Sequence, residues 1–532
     1  MLMVVVLTLA GVAHVMATLQ PAFVDETFIV RNIENFFSER TIVPAFFSYP
    51  TLYSYLSAPF AGLFVGGMVL SGMPPAIGDW TAVSYYERLY ALWPQRLVVF
   101  LSFALACLLV YLIVLELTER RWAGLLGATL LATAPGCFRY SGLGLPDVPT
   151  MMFATAALLF ALRLARGERP ERNALLAGLL GGLAVATKYN AVLLAPPLIV
   201  AAWAAGNRWR LIASVAGAAA IGFLIGSPAW LIAPGEYLEG MRYEMGLQRL
   251  GLLGTAGVPL LGQLELTVES DPHLLIMSLV GVIIVLHGRE RRWQVAVLLT
   301  LVAAAYVVAA PGSRQRLHYL LPAWPAMAAL VAWGVAVSAK RTKVFLGTLA
   351  VVSATVACGL IMIQGFTMAA VPQSERVART WLHRHVEPMT PIALDWAYVP
   401  DLLDHEQLAD LTAGIETDYV QRLYSGLVPY RTDRPQYTRD FLETAEEQYI
   451  VTSSGCYERF FDFGVFTRRP PDREKRAYPA WAARKGFYED LFAGYAGWRP
   501  VYDVWTGNGP RVVIFARGEA LEKHGARPME LP

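Results

Sequence analysis

Long apolar runs recur through the first 371 residues, and a single water-soluble core has no room for all of them. A helix needs roughly 20 apolar residues to cross the hydrocarbon core of a bilayer. Runs approaching that length fall at 1–19, 97–117, 122–138, 148–165, 173–190, 191–205, 211–233, 273–288, 294–310, 319–338 and 344–370. They predict about 11 transmembrane helices, with Arg and Trp at the ends of the shorter runs snorkelling to the interface. No basic segment precedes the first run, which reads as a first span and not as a removed signal peptide. Residues 372–532 have the composition of a soluble protein. The expected fold is therefore a mainly α polytopic membrane domain, residues 1–371, followed by a soluble α/β domain, residues 372–532. Only 16% of all residues are charged, against about 25% in soluble proteins.

Basic residues fix the sidedness. They cluster at Arg120-Arg121, at Arg163, Arg166, Arg169 and Arg172, at Arg208 and Arg210, at Arg289, Arg291 and Arg292, and at Lys340, Arg341 and Lys343. Each cluster falls at an alternate loop, so the positive-inside rule makes these loops cytoplasmic. The turns near 139–147, 188–191, 234–272 and 311–318 then face outward, and so does the C-terminal domain. The chain is expected in an inner (plasma) membrane, crossing it many times among membrane lipids. A net charge of +2, with basic residues confined to such loops, gives no nucleic-acid footprint. Four cysteines have no metal-ligand spacing and read as buried thiols. Leu52–Gly72 is apolar enough to cross, yet Pro59 and its glycines weaken it as a regular helix; composition leaves its placement open.

Ionisable residues beside a membrane need a reason to be there. Asp25 and Glu26 follow the first run; alone they also read as acids capping a short helix at 28–37. Arg139-Tyr140-Ser141-Gly142-Leu143-Gly144-Leu145-Pro146-Asp147 forms the next outer turn, where Asp147 is either a helix cap or a working carboxylate. Lys188-Tyr189-Asn190 and Arg314 to Tyr319, with Arg316 and His318, occupy later outer turns. Positive charge in short outer turns runs against the usual bias and points to an anionic partner such as a phosphate. Acids Asp25, Glu26 and Asp147 with cations Lys188, Arg316, His318 and Arg139 form a kit for group transfer off a phosphate.

The order of these pieces resembles the GT-C glycosyltransferases, in the branch of protein O-mannosyltransferases and lipid A aminoarabinose transferases. The elements are Asp25-Glu26, Tyr49-Pro50-Thr51-Leu52-Tyr53, Arg96, Pro146-Asp147, Gly178 to Lys188-Tyr189, and Arg316 to Pro322. Ser48-Tyr49-Pro50-Thr51 stands where that branch usually has His-Pro-Pro. The likeness spans roughly the first 340 residues. It implies that the first outer loop, residues 20–96, stays on one side, with Leu52–Gly72 largely interfacial. It implies a sugar on a polyprenyl phosphate as donor and a protein, lipid or glycan as acceptor. Asp25 becomes the general base with Glu26 nearby, and Asp147 a positioning residue. A divalent metal on Asp25 and Asp147 is the one cofactor it admits. Lys188, Arg316, His318 and Arg139 would face the donor phosphate, and Tyr49, Tyr189 and Tyr319 the substrate. The main rival is a transporter or flippase, which places charges near the midplane and often shows internal repeats; here the charges sit at outer ends.

In the C-terminal part, Ser374–His385 reads as an amphipathic helix, and 391–394, 449–453 and 511–515 as strands. Tyr457 and Arg459, after Ser453-Ser454-Gly455, are either structural or a contact site.

Overall fold

The computed structural model describes residues 1–19, 25–70, 88–250, 259–287, 292–309, 316–400, 402–404, 429–461 and 478–527. Arg314, parts of the loop 20–96 and Arg289 and Arg291 lie outside these residues. Helices occupy each of the expected apolar runs. Those used below are α1 (Leu2–Ala17), α2 (Glu26–Ser38), α3 (Leu52–Leu70), α4 (Arg88–Thr118), α5 (Asp147–Ala165), α6 (Pro170–Thr187), α7 (Arg208–Gly226), α8 (Lys340–Ala370) and α9 (Ser374–His385).

The apolar runs differ in how far a single helix carries them. Among the described residues, four helices are long and apolar enough to cross a membrane, or five if a bent pair counts as one span. That pair, Leu260–Ser270 and Pro272–His287, is bent by 107°. Shorter apolar helices cover Leu2–Ala17, Tyr189–Ala204, Arg292–Val307 and Leu321–Val337. Prolines mark where helices begin again inside the runs. The run at 122–138 breaks into Arg121–Ala132 and Pro135–Ser141, with Pro135 opening the second helix. The chain leaves α6 at Lys188, runs through a 3₁₀ helix at Tyr189–Leu194 and re-enters an α-helix at Ala195, where Pro196 and Pro197 sit in the first turn.

Helix packing in the first part relies on small residues. In α6, a Cβ on Gly182 would lie 2.0 Å from the Ala219 carbonyl oxygen of α7, so the two backbones touch there. Lipid tails give helices no hydrophobic reason to associate, and close van der Waals contact supplies one. The helix α3 packs beside α2: Asn32 and Ser54 are hydrogen-bonded, and the rings of Phe36 and Tyr55 lie 5.4 Å apart. Its N-terminus is tied to the end of α7 through Thr51 and Ser227, 3.0 Å apart.

After α8 the chain changes character. A six-stranded sheet has the order β2-β3-β1-β4-β6-β5, with β1 Pro391–Leu394, β2 Leu403–Asp404, β3 Pro429–Asp433, β4 Tyr449–Ser453, β5 Arg499–Val504 and β6 Val512–Ala516. Strands β2, β3, β1 and β4 run parallel, and β6 lies antiparallel between β4 and β5. The helix α9 is amphipathic, with Ala378 and Leu382 buried on one side. Every residue of β4 and β6 is buried, as expected for strands covered on both faces. The sheet is joined to α8 by Asn508, whose side-chain amide donates to the Met368 and Val371 carbonyls at 3.2 and 2.7 Å.

Candidate active site

Four segments between helices converge at one end of the helical part. Asp147 opens α5 after a turn through Gly142 and Gly144. Lys188 is extended (φ −154°, ψ 132°) in the break after α6, which frees its side chain from helical geometry. Its ammonium lies 2.5 Å from Asp147 Oδ1, and the two residues are only 6% and 3% exposed. The same ammonium sits over the rings of Tyr49 and Tyr319, 5.5 and 5.4 Å from their centroids. A buried charge is tolerated when it is paired and caged in this way.

Asp25 stands at the N-cap position of α2, half-buried. Its charge acts on Lys188 and on Tyr49. Burial, and then the carboxylates of Asp25, Asp147 and Glu244, push the Tyr49 phenol well above its ordinary range. Tyr49 therefore stays protonated at neutral pH and can donate a hydrogen bond.

Glu26 has a different place from the one expected of a reacting carboxylate. It is fully buried, accepts from Arg96 Nε at 2.9 Å and Nη2 at 2.8 Å, and also accepts from the Gly144 N–H. Arg96 in turn donates to the Thr18 carbonyl. Both oxygens of Glu26 are thus occupied, and the ion pair fastens the start of α2 to α4 and to the Asp147 turn. Gly144 is required there: a Cβ would come within 2.5 Å of Gln95 Cγ.

The remaining candidates divide. His318 packs edge-on against Tyr140 and Tyr319, at 5.4 and 4.4 Å between ring centroids. Arg316 precedes it and is exposed, and the charges of Arg139, Asp147, Arg316 and Lys188 all act on Tyr140. Tyr189 turns instead into a separate apolar cluster with Phe47 and Tyr237, beside the centre and not within it. The expectation of a metal on Asp25 and Asp147 does not fit the residues present. The carboxylate of Asp147 is held by an ammonium that repels a cation, and among the described residues no three His, Cys, Asp or Glu side chains converge.

Sequence reasoning missed Glu244, on the helix Pro234–Leu250, whose charge reaches Tyr49 and Tyr189. It also missed the approach of the C-terminal sheet. Burial lifts the Tyr398 phenol to about 12, Arg316 and Arg459 oppose that, and Asp25 adds to it. No periodicity or motif links residues so far apart in sequence.

The comparisons bear on the fold. Residues 88–232 match the family model of dolichyl-phosphate-mannose-protein mannosyltransferases. The whole chain superposes on ArnT from Cupriavidus metallidurans bound to undecaprenyl phosphate, with a TM-score of 0.52, 13% identity and 99% of each chain covered. The chain has the GT-C fold. The GT-C likeness extends to the apo state of the same ArnT, with a TM-score of 0.51, 13% identity and 99% of each chain covered. Among curated proteins no sequence matches. The resemblance read from the sequence is thus to the superfamily whose fold the chain adopts.

Proposed function

We propose that this chain is a membrane glycosyltransferase that moves a monosaccharide from a polyprenyl-phosphate donor to an acceptor on the outer face of the inner membrane. The observation that carries the reading is the buried Asp147–Lys188 pair, caged by Tyr49 and Tyr319 with Asp25 alongside. The binding of undecaprenyl phosphate by an ArnT of the same fold supports the donor class. Residues 1–371 form the transferase domain in this reading, and residues 372–532 an extracytoplasmic domain.

The reaction is an inverting displacement. Asp25 takes the proton of the acceptor hydroxyl as its oxygen attacks the anomeric carbon. The carbon–oxygen bond to phosphate breaks, and its electron pair leaves with the lipid phosphate. Lys188 has three N–H donors, of which Asp147 takes one, so the others serve the departing phosphate. Arg316, His318 and Arg139 add positive field at the same end. A phosphate leaves as a stable anion and needs no strong acid, which matches a centre with a half-buried base and cations around it. Glu26 acts at one remove: through Arg96 and Gly144 it positions Asp25 against the Asp147 turn.

The test is turnover of purified protein in nanodiscs with a panel of undecaprenyl-phosphate sugars. Asp25→Asn keeps the size and removes the basicity, so turnover should fall about 10²-fold or more with lipid binding retained. Near wild-type turnover in this variant would remove Asp25 as the base.

A further inference from the structure

The C-terminal sheet brings a second arginine to the outer end of the site. Strands β1 and β4 are parallel neighbours, and in open α/β sheets ligands lie beyond the carboxyl ends of such strands. Beyond β1 come Asp395, Trp396 and Tyr398; beyond β4 come Gly455 and Arg459. Asp395 is locked by Tyr437, Thr452 and Tyr488 hydroxyls at 2.6, 2.6 and 2.7 Å, and by the Trp396 N–H. That lock fixes the segment carrying Trp396 and Tyr398. Tyr398 in turn packs so tightly on Gly455 that a Cβ there would meet its ring at 2.4 Å.

Arg459 lies over the Trp396 ring, 4.5 Å from its centroid, and donates from Nη2 to the Gly455 carbonyl. Its Nε and the Trp396 Nε1 are buried donors without an acceptor. Both groups can only donate, so an acceptor is what this corner lacks. Among the described residues no carboxylate pairs with Arg459 or with Arg316. Yet Arg316, from the outer turn of the helical part, lies near enough for its like charge to act on Arg459. Two guanidiniums whose like charges act on one another, one of them largely desolvated, are stabilised by an anion shared between them.

We propose that Arg316 and Arg459 together bind a phosphate group at the seam between the outer turn at 316–319 and the carboxyl ends of β1 and β4. The C-terminal domain then supplies a side chain to substrate, and the site is complete only when the domain is seated. This deepens the reading given above and rests on it for the lipid phosphate as one source; a phosphate carried by the acceptor has the same chemistry.

The test uses full-length protein in nanodiscs, with tryptophan fluorescence reporting titrations of undecaprenyl phosphate and, separately, of inorganic phosphate. Undecaprenol, which lacks the charge, is the control. Arg459→Met keeps the stem over Trp396 and removes the charge, and Arg459→Lys keeps the charge. Arg459→Met and Arg316→Met should each weaken phosphate binding about tenfold, Arg459→Lys should lose less, and undecaprenol should bind all variants alike. Weakening with undecaprenyl phosphate assigns the site to the lipid headgroup. Weakening with inorganic phosphate alone assigns it to a phosphate brought by the acceptor. Unchanged affinity for both probes in Arg459→Met overturns the proposal. A wild-type protein that binds inorganic phosphate but not undecaprenyl phosphate overturns the donor reading while leaving Arg459 to be judged by the other arm. Binding of neither probe overturns both.

Discussion

Asp25 and Glu26 are adjacent in sequence and opposite in circumstance. Glu26 is sealed against Arg96, whereas Asp25 keeps a half-open carboxylate beside Lys188 and Tyr49. A proton acceptor must be reachable, and only one of the two is. The Asp147–Lys188 pair raises a related question, because removing one member of a buried pair strands the other. Lys188→Met leaves the Asp147 carboxylate without its partner and should cost about 3–5 kcal/mol of stability. The double variant Lys188→Met, Asp147→Asn removes both charges and should recover most of that loss in thermal unfolding while staying inactive. Activity regained along with stability would show that the pair serves folding alone. Individually, Asp25, Asp147, Lys188, Arg316 and Tyr319 were legible as unusual residues in outer turns. Their convergence was not, because Asp147 and Lys188 come from different helices 41 positions apart. Tyr189 misled for the converse reason: next to Lys188 in sequence, it points elsewhere once the chain has turned into a 3₁₀ helix.

At the scale of elements, the runs of apolar residues gave helices in the expected places because span length is set by the bilayer and not by local propensity. Prolines mark where helices begin again inside those runs, as at Pro135 and at Pro196-Pro197. In the sheet, β1, β4 and β6 were legible as compact apolar runs. The others were not: β3 reads Pro-Tyr-Arg-Thr-Asp and β5 Arg-Pro-Val-Tyr-Asp-Val, and each mixes proline and charge with its apolar positions. The α6–α7 contact carries a prediction of its own. Gly182→Val forces a side chain into the Ala219 carbonyl, and separating two such helices should cost about 1–3 kcal/mol. Gly217→Val, at a position with open space, is the control. Equal melting temperatures for the two variants would mean that the contact is not needed for stability.

For the whole molecule, the basic clusters predict the sidedness. Lys343 closes the last basic cluster and Pro372 follows the end of α8. Reporter fusions at these two positions should report the cytoplasm and the outer compartment respectively; the same compartment for both would overturn the topology. At that end a side chain of the sheet's β5–β6 loop ties the sheet to α8. The Asn508 amide caps the last carbonyls of α8, so a 31-residue helix and the sheet share a stiff connection. Bilayer thickness is one influence on the tilt of such a helix, beside its packing on α1. The joint then acts as a tiller: a change of tilt in the membrane swings the sheet, and with it the arginine above Trp396, across the mouth of the site. Turnover in nanodiscs of increasing acyl length should peak sharply for the wild type and flatten in Asn508→Ala, with identical profiles denying the linkage. The lipid around this protein, on that view, is a setting of the enzyme as much as its solvent.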